Sequence, residues 1–343
     1  MLMCEASRMI NSNSVKYERM NSLIHEIKKY NKNKMFVYFD MYSIVKSLYQ
    51  ENVTIEDYTI VTSCIINMAA HYRSYFNLHN IETAFFIIYC ENYSYLNTQL
   101  ISGYNKSNYE VIHNNPKVHD MVMANVNLLK TLCPYLPDIA FIDRGNNETG
   151  VIIADIMMKY DVNDQFYHLI LSKDDYIFQL VSIKDSVFVL RPKKLNGVDE
   201  SYLIHNDNLI EYYLKYKKCT YETKVSAGLY SVLLTLNGCK SRNIKSIMNT
   251  QASLKEIEKL IDNNIILNAY NSNPIFIFNN LSKISPQIAM SRFNSIDLFY
   301  QLTVYKTLSP SKYPEIINLY NPDEVKHLNN EFFKSNPLDV NRL

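Results

Sequence analysis

Short apolar runs alternate with stretches of helical spacing along this chain up to about residue 204. FVYFD (36–40) has the aromatic and β-branched content of a strand, and Ile44, Val45, Leu48 and Tyr49 behind it have the spacing of a helix face. Ile60–Phe76 predicts a second helix, and AFFIIYC (84–90) a second buried strand. Residues 91–118 are polar, rich in Tyr and Asn and without period, which predicts a long loop or mobile helices. Val122–Leu132 predicts a helix closed by Pro134 and Pro137. IAFID (139–143) predicts a third strand and Glu148–Met158 a helix. Next, Leu169–Leu171 reads as a buried strand that ends in Ser172, Asp174 and Asp175 and runs into a helix-like stretch at Ile177, Phe178, Leu180 and Val181. SVFVLRP (186–192) closes the series.

Such alternation predicts an α/β fold, a mostly parallel central sheet flanked by helices. The expected division is an arm or leading helix over 1–34, with a weakly amphipathic stretch at Met20–Ile27, an α/β core over 35–204 and a helical region over 205–343. A short strand is expected within that last region at Ile275–Phe278.

Parallel sheets place ligand and metal chemistry at the carboxyl ends of their strands. Acidic residues fall at those ends here: Asp40, Glu91 just past the second strand, Glu148 at a helix start, and Asp174. Converging carboxylates repel unless protonated or bridged by cations, and hard oxygen donors suit Mg²⁺ or Mn²⁺. Two such ions about 4 Å apart would clamp the attacking and leaving oxygens of a phosphodiester. The same residues also fit a plainer role: Glu148 favoured by a helix dipole, and Asp40 and Asp174 capping loop ends.

Composition narrows the classes. The chain has 343 residues, 47% hydrophobic and 20% charged, with a net charge of +1, so no global field favours nucleic acid or a membrane. No secretory signal is evident, and the longest apolar run, near Ala84–Tyr89, is far too short to cross a bilayer. Its 6 cysteines have no CxxC spacing, so an intracellular, reducing compartment is expected and structural zinc is not. Abundant Asn, Ile, Lys and Tyr suggest an AT-rich coding genome, as in many phages, large DNA viruses and some parasites; for a virus, the infected host cytoplasm would be the compartment.

Six segments, in order, resemble the flap endonuclease / 5′→3′ exonuclease superfamily with its PIN-like core, phage RNase H-type members included. FVYFDMYSIVKSLY resembles its first strand, with Asp40 on the metal-binding Asp; AFFIIYCEN resembles its second strand. GYNKSNY (103–109) resembles the Tyr-Lys-x-x-Arg region before the helical arch. VNLLKTLCPYLPDIAFIDRGNNETGVIIADIM matches the run that ends in the Glu-Ala-Asp-Asp helix, and LSKDDYIFQL resembles Ser-Gly-Asp-Lys-Asp-x-x-Gln-Leu. LNGCKSRNIK (236–245) resembles the segment that opens the family's helix–hairpin–helix, placed here at about 236–262. The resemblance covers roughly residues 35–265.

Departures from the family pattern are concentrated on its metal ligands. Cys90 or Glu91 stands where the second strand ends in Asp; Gly150 and Val151 replace both aspartates of Glu-Ala-Asp-Asp; Tyr176 replaces the second Asp of the strand-end motif; Cys239 and Arg242 replace the last two. The surviving ligand candidates are Asp40, Glu148 and Asp174, with Glu91 a fourth, so the resemblance implies at most one Mg²⁺ or Mn²⁺ ion. A phenol and a neutral thiol are poor ligands for such ions. An arginine at 242 would neutralise leftover carboxylates in place of a cation. Nucleic-acid contacts are expected at Tyr104, Lys106 and Tyr109 in the arch and at Lys240, Arg242 and Lys245, although the hairpin's Gly-x-Gly is missing.

These residues imply a catalytically degenerate 5′ nuclease-like protein. It would bind branched or 5′-ended DNA, or scaffold a viral replication, recombination or transcription complex with protein partners and without a membrane. Two alternatives stand beside it: an active Mg²⁺-dependent structure-specific 5′ exonuclease or flap endonuclease with a rearranged site, and a protein–protein module without nucleic acid.

Overall fold

The computed structural model describes residues 22–50, 59–91, 110, 113–144, 147–161, 163–182, 184–195, 198–209, 211–212 and 230. Residues 22–27 are helical (α1) and lead through a turn of 3₁₀ helix, Lys28–Tyr30, into the first strand. The order is then β1 Lys34–Asp40, α2 Met41–Gln50, α3 Ile60–Asn77, β2 Glu82–Tyr89, α4 Pro116–Leu132, β3 Ile139–Asp143, α5 Thr149–Tyr160, β4 Tyr167–Leu171, a 3₁₀ helix Asp175–Ser182, β5 Val187–Leu195 and β6 Val198–Ile204. The helical region expected after residue 205, with the strand at Ile275–Phe278 and the helix–hairpin–helix, lies almost entirely outside the described residues, as does the 103–109 segment.

The sheet order is β3-β2-β1-β4-β5-β6. The first five strands run parallel and β6 returns antiparallel on β5. Chain order reverses between β1 and β4, because β2 and β3 extend the sheet one way and β4 and β5 the other. That junction is the topological switch point, where open α/β sheets bind ligands.

The central strands are buried on both faces, which is why they read as unbroken apolar runs. Met35, Val37 and Phe39 of β1 join Phe85 and Ile87 of β2 in one core with α3 and α4. Leu23, Ile24 and Ile27 of α1 belong to the same core. Phe36 and Tyr38 face the other way: Phe36 stacks on Phe166 at 4.4 Å, and Tyr38 on Phe86 at 5.4 Å.

A buried polar chain ties α5 to β4 on that second face. The Tyr38 hydroxyl and His168 Nδ1 are 2.9 Å apart, and His168 Nε2 is 2.9 Å from Asp161 Oδ2. Asp161 Oδ1 accepts the backbone N–H groups of Gln165 (2.5 Å) and Phe166 (3.2 Å), and Lys184 Nζ reaches Oδ2 at 3.0 Å. Each charge is matched by a partner, as a buried polar group requires.

The start of α4 differs from the sequence expectation. α4 begins at Pro116 rather than Val122, because Asn115 caps it: its side chain accepts from Val118 N at 3.4 Å, and Pro116 fills the first turn.

Candidate functional site

Asp40 ends β1 at the switch point and is 0% exposed. Ser43, one turn on in α2, gives its hydroxyl to Asp40 Oδ2 at 2.5 Å and its backbone N–H to Oδ1 at 3.3 Å. Ser172, just past β4, donates its hydroxyl to Oδ2 at 2.6 Å. Thr149, the first residue of α5, donates to Oδ1 at 3.3 Å. Three hydroxyls and an amide thus occupy both oxygens of one buried carboxylate. Burial raises its pKa, the neighbouring Asp174 carboxylate pushes the same way, and the hydroxyls oppose both.

The hydroxyls also hold the β4 loop. Lys173 N donates to Ser43 Oγ at 3.2 Å, and Asp174 N to Ser172 Oγ at 3.0 Å. Asp174 in turn accepts the Tyr176 amide on Oδ1 at 3.0 Å. Asp175 turns away and pairs with Arg191, whose guanidinium lies 5.2 Å from the Phe178 ring centroid.

Past β2, the two candidates for the strand-end position separate. Cys90 is fully buried beside Thr149, and burial followed by the Asp40 charge pushes that thiol far above its usual range. Glu91 is partly exposed and faces another direction: its carboxylate accepts from the Tyr89 hydroxyl at 3.5 Å and lies 3.5 Å from His113 Nε2. Cys90 is thus within reach of the Asp40 charge, while the partners of Glu91 are Tyr89 and His113.

Glu148 stands at the N-cap position of α5, 2% exposed, and its carbonyl accepts the Val151 amide at 3.0 Å. Behind it stand Gly150, Val151 and Tyr176, at the positions where the resemblance marks acids. Tyr176 and Val151 are each 3% exposed, and a β-carbon on Gly150 would sit 3.3 Å from Tyr176 Cδ1 and 3.3 Å from Ile177 Cγ1. An aromatic ring fills this ground, with no carboxylate among the three side chains.

The fold brings Asp40, Cys90, Glu148 and Asp174 to one edge, and Glu91 meets Tyr89 and His113. Among the described residues, no three donor groups of this edge bring ligand atoms within 4.8 Å of one another. The donor chemistry fits a bound Mg²⁺ or Mn²⁺ poorly, since those ions need oxygens that are free to converge. Tyr104, Lys106, Tyr109, Cys239, Lys240, Arg242 and Lys245 lie outside the described residues. Sequence reasoning missed Ser43 and Thr149 as partners of Asp40. The visible signal was a serine three positions after a strand-end aspartate, a pattern that by itself also fits an ordinary helix start.

No family model matches the chain, and no curated protein matches it. Solved structures do. A bacteriophage T5 protein co-crystallised with metal ions aligns with a TM-score of 0.57 at 10% identity, over 87% of this chain and 98% of that one. The bacteriophage T5 flap endonuclease in a pseudo-enzyme–product complex with DNA and metal ions aligns with a TM-score of 0.54 at 11% identity, over 87% and 98%. The T5 5′-exonuclease with bound zinc aligns with a TM-score of 0.52 at 11% identity, over 88% and 98%. This chain has the flap endonuclease fold, with its mostly parallel sheet and PIN-like core.

Proposed function

We propose that this chain is a catalytically degenerate 5′ nuclease-like protein that binds branched or 5′-ended DNA without cutting it. The observation that carries the reading is the Asp40 cage. In a metal nuclease, a strand-end carboxylate keeps its oxygens for the ion; here Ser43, Ser172 and Thr149 hold both. Hydroxyls stabilise the buried charge by hydrogen bonds, each worth about 1.5–3 kcal/mol to a charged group, and so take over part of what a cation would supply against burial. The Tyr176 ring against Gly150 supports the same reading, because two-metal hydrolysis needs acids on both sides of the scissile phosphate.

Retained DNA binding is supported by the fold, by the neighbour solved as a DNA complex, and by the basic and aromatic residues Tyr104, Lys106, Tyr109, Lys240, Arg242 and Lys245. The residue bias supports a phage or large DNA virus as its source, where it would scaffold a replication, recombination or transcription complex. A competing reading, an active Mg²⁺-dependent 5′ nuclease, draws on the survival of Asp40, Glu148 and Asp174 at the switch point.

Fluorescence anisotropy tests the binding half. With the metal chelated by EDTA, 5′-flap DNA should bind more tightly than blunt duplex, with affinity falling steeply as salt rises. Absence of binding at low salt would leave the protein–protein module as the reading.

A further inference from the structure

A second group of metal-type donors sits at the opposite end of the sheet from Asp40. β6 runs antiparallel, with Ile204 paired to Val189 near the start of β5, so the residues after β6 emerge where the parallel strands begin. Glu26 of α1 meets His205 and Asp207 there, and one ligand atom from each lies within 4.8 Å of the others. His205 Nδ1 is 3.9 Å from Asp207 Oδ2. We propose that Glu26, His205 and Asp207 form a binding site for one Zn²⁺ ion, which staples α1 to the turn after β6.

Three features support a cation at this point. The donors differ in kind: an imidazole with two carboxylates is a set that suits zinc, with a position left for water. The imidazole is held in place, its ring 6.4 Å from Phe188 and its backbone N–H donating to Asn208 Oδ1 at 2.8 Å. Finally, a cation is already drawn in. Lys29 Nζ lies 2.5 Å from Glu26 Oε2. The Lys29 side chain is 47% exposed, so it can leave for solvent when a dication takes its place.

The site is built from segments far apart in sequence and is open enough for an ion to enter: the side chains of Glu26 and His205 are 17% and 15% exposed, and that of Asp207 56%. Nothing in it depends on the Asp40 region.

Zinc titration of the full chain against a chromophoric chelator tests the proposal. The unsubstituted protein should take up one equivalent of Zn²⁺. Asp207→Asn and His205→Gln should each weaken uptake by at least about tenfold, Lys29→Met should strengthen it by removing the competing ammonium, and Asp174→Ala should leave it unchanged. Melting curves in EDTA keep folding separate from binding, and the exposed Asp207 provides a variant that does not disturb the core. Absence of uptake in the unsubstituted protein would overturn the proposal, as would uptake indifferent to Asp207→Asn, or uptake lost in Asp174→Ala alone.

Discussion

The Tyr176 ring lies against Gly150, with 3.3 Å between its Cδ1 and the place a β-carbon on Gly150 would take. The contact joins two positions at which the flap endonuclease pattern carries acids. A carboxylate at either one would be buried against an aromatic ring or an aliphatic chain. Gly150→Asp should therefore cost about 2–3 kcal/mol from overpacking and an uncompensated polar group. Trimming the ring in Tyr176→Ala should relieve part of it, so the double variant should be less damaged than the sum of the two. Urea melts of the four proteins measure this coupling; strict additivity would mean the ring is not what excludes a side chain at 150.

Ser172 holds Asp40 at 2.6 Å, and Ser43 at 2.5 Å. Ser172→Ala should destabilise the protein by about 1–3 kcal/mol, because it strips a donor from a buried carboxylate. Asp40→Asn should cost less than Asp40→Ala, since it keeps the volume and an acceptor oxygen for the surrounding hydroxyls. Chemical denaturation with EDTA present checks both, and any stabilisation by added Mg²⁺ in the unsubstituted protein would count against the cage.

Acid should destabilise the fold in two stages set by the polar chain between α5 and β4. Burial holds His168 below its ordinary value of 6.5, so its contribution is complete above that pH and is lost as pH falls below it, when the unfolded chain takes the proton first. Burial alone would raise Asp161, but the His168 N–H and the Lys184 ammonium overcome it and hold the carboxyl below 3.8; its contribution is lost as pH falls through that lower value. Stability measured against pH should decline from about pH 6.5 downward and again in strong acid. Asp161→Asn should be less stable near neutrality and should flatten the second decline.

Much of this fold was legible because it is buried on both faces. FVYFD, AFFIIYC and IAFID fall on β1, β2 and β3, where no solvent-facing residue interrupts the apolar run. β6 was not legible: it is an antiparallel edge strand whose sequence, VDESYLI, carries Asp199, Glu200 and Ser201. The Asp40 cage was invisible for another reason. Ser43 and Ser172 are common residues 129 positions apart, and only the register of β1 against β4 makes them neighbours. The same register sets the Tyr38–His168 contact. Tyr38 pairs with Ile170, so His168 is its diagonal neighbour on one face. What the sequence did disclose at the site was loss, since Tyr176 and Gly150 stand at positions the resemblance marks as acidic.

DNA contacts should follow charge more than chemistry. Lys106→Ala and the pair Lys240→Ala with Arg242→Ala should each weaken 5′-flap binding and lower the slope of log affinity against log salt by about 1 for each phosphate contact removed. Weakening with an unchanged slope would place those residues away from the backbone.

Cleavage of a labelled 5′-flap substrate in Mn²⁺, comparing the unsubstituted protein with Asp174→Ala, tests the central claim most directly. The cage predicts that the two are indistinguishable from buffer. Turnover by the unsubstituted protein that vanishes in Asp174→Ala would contradict it.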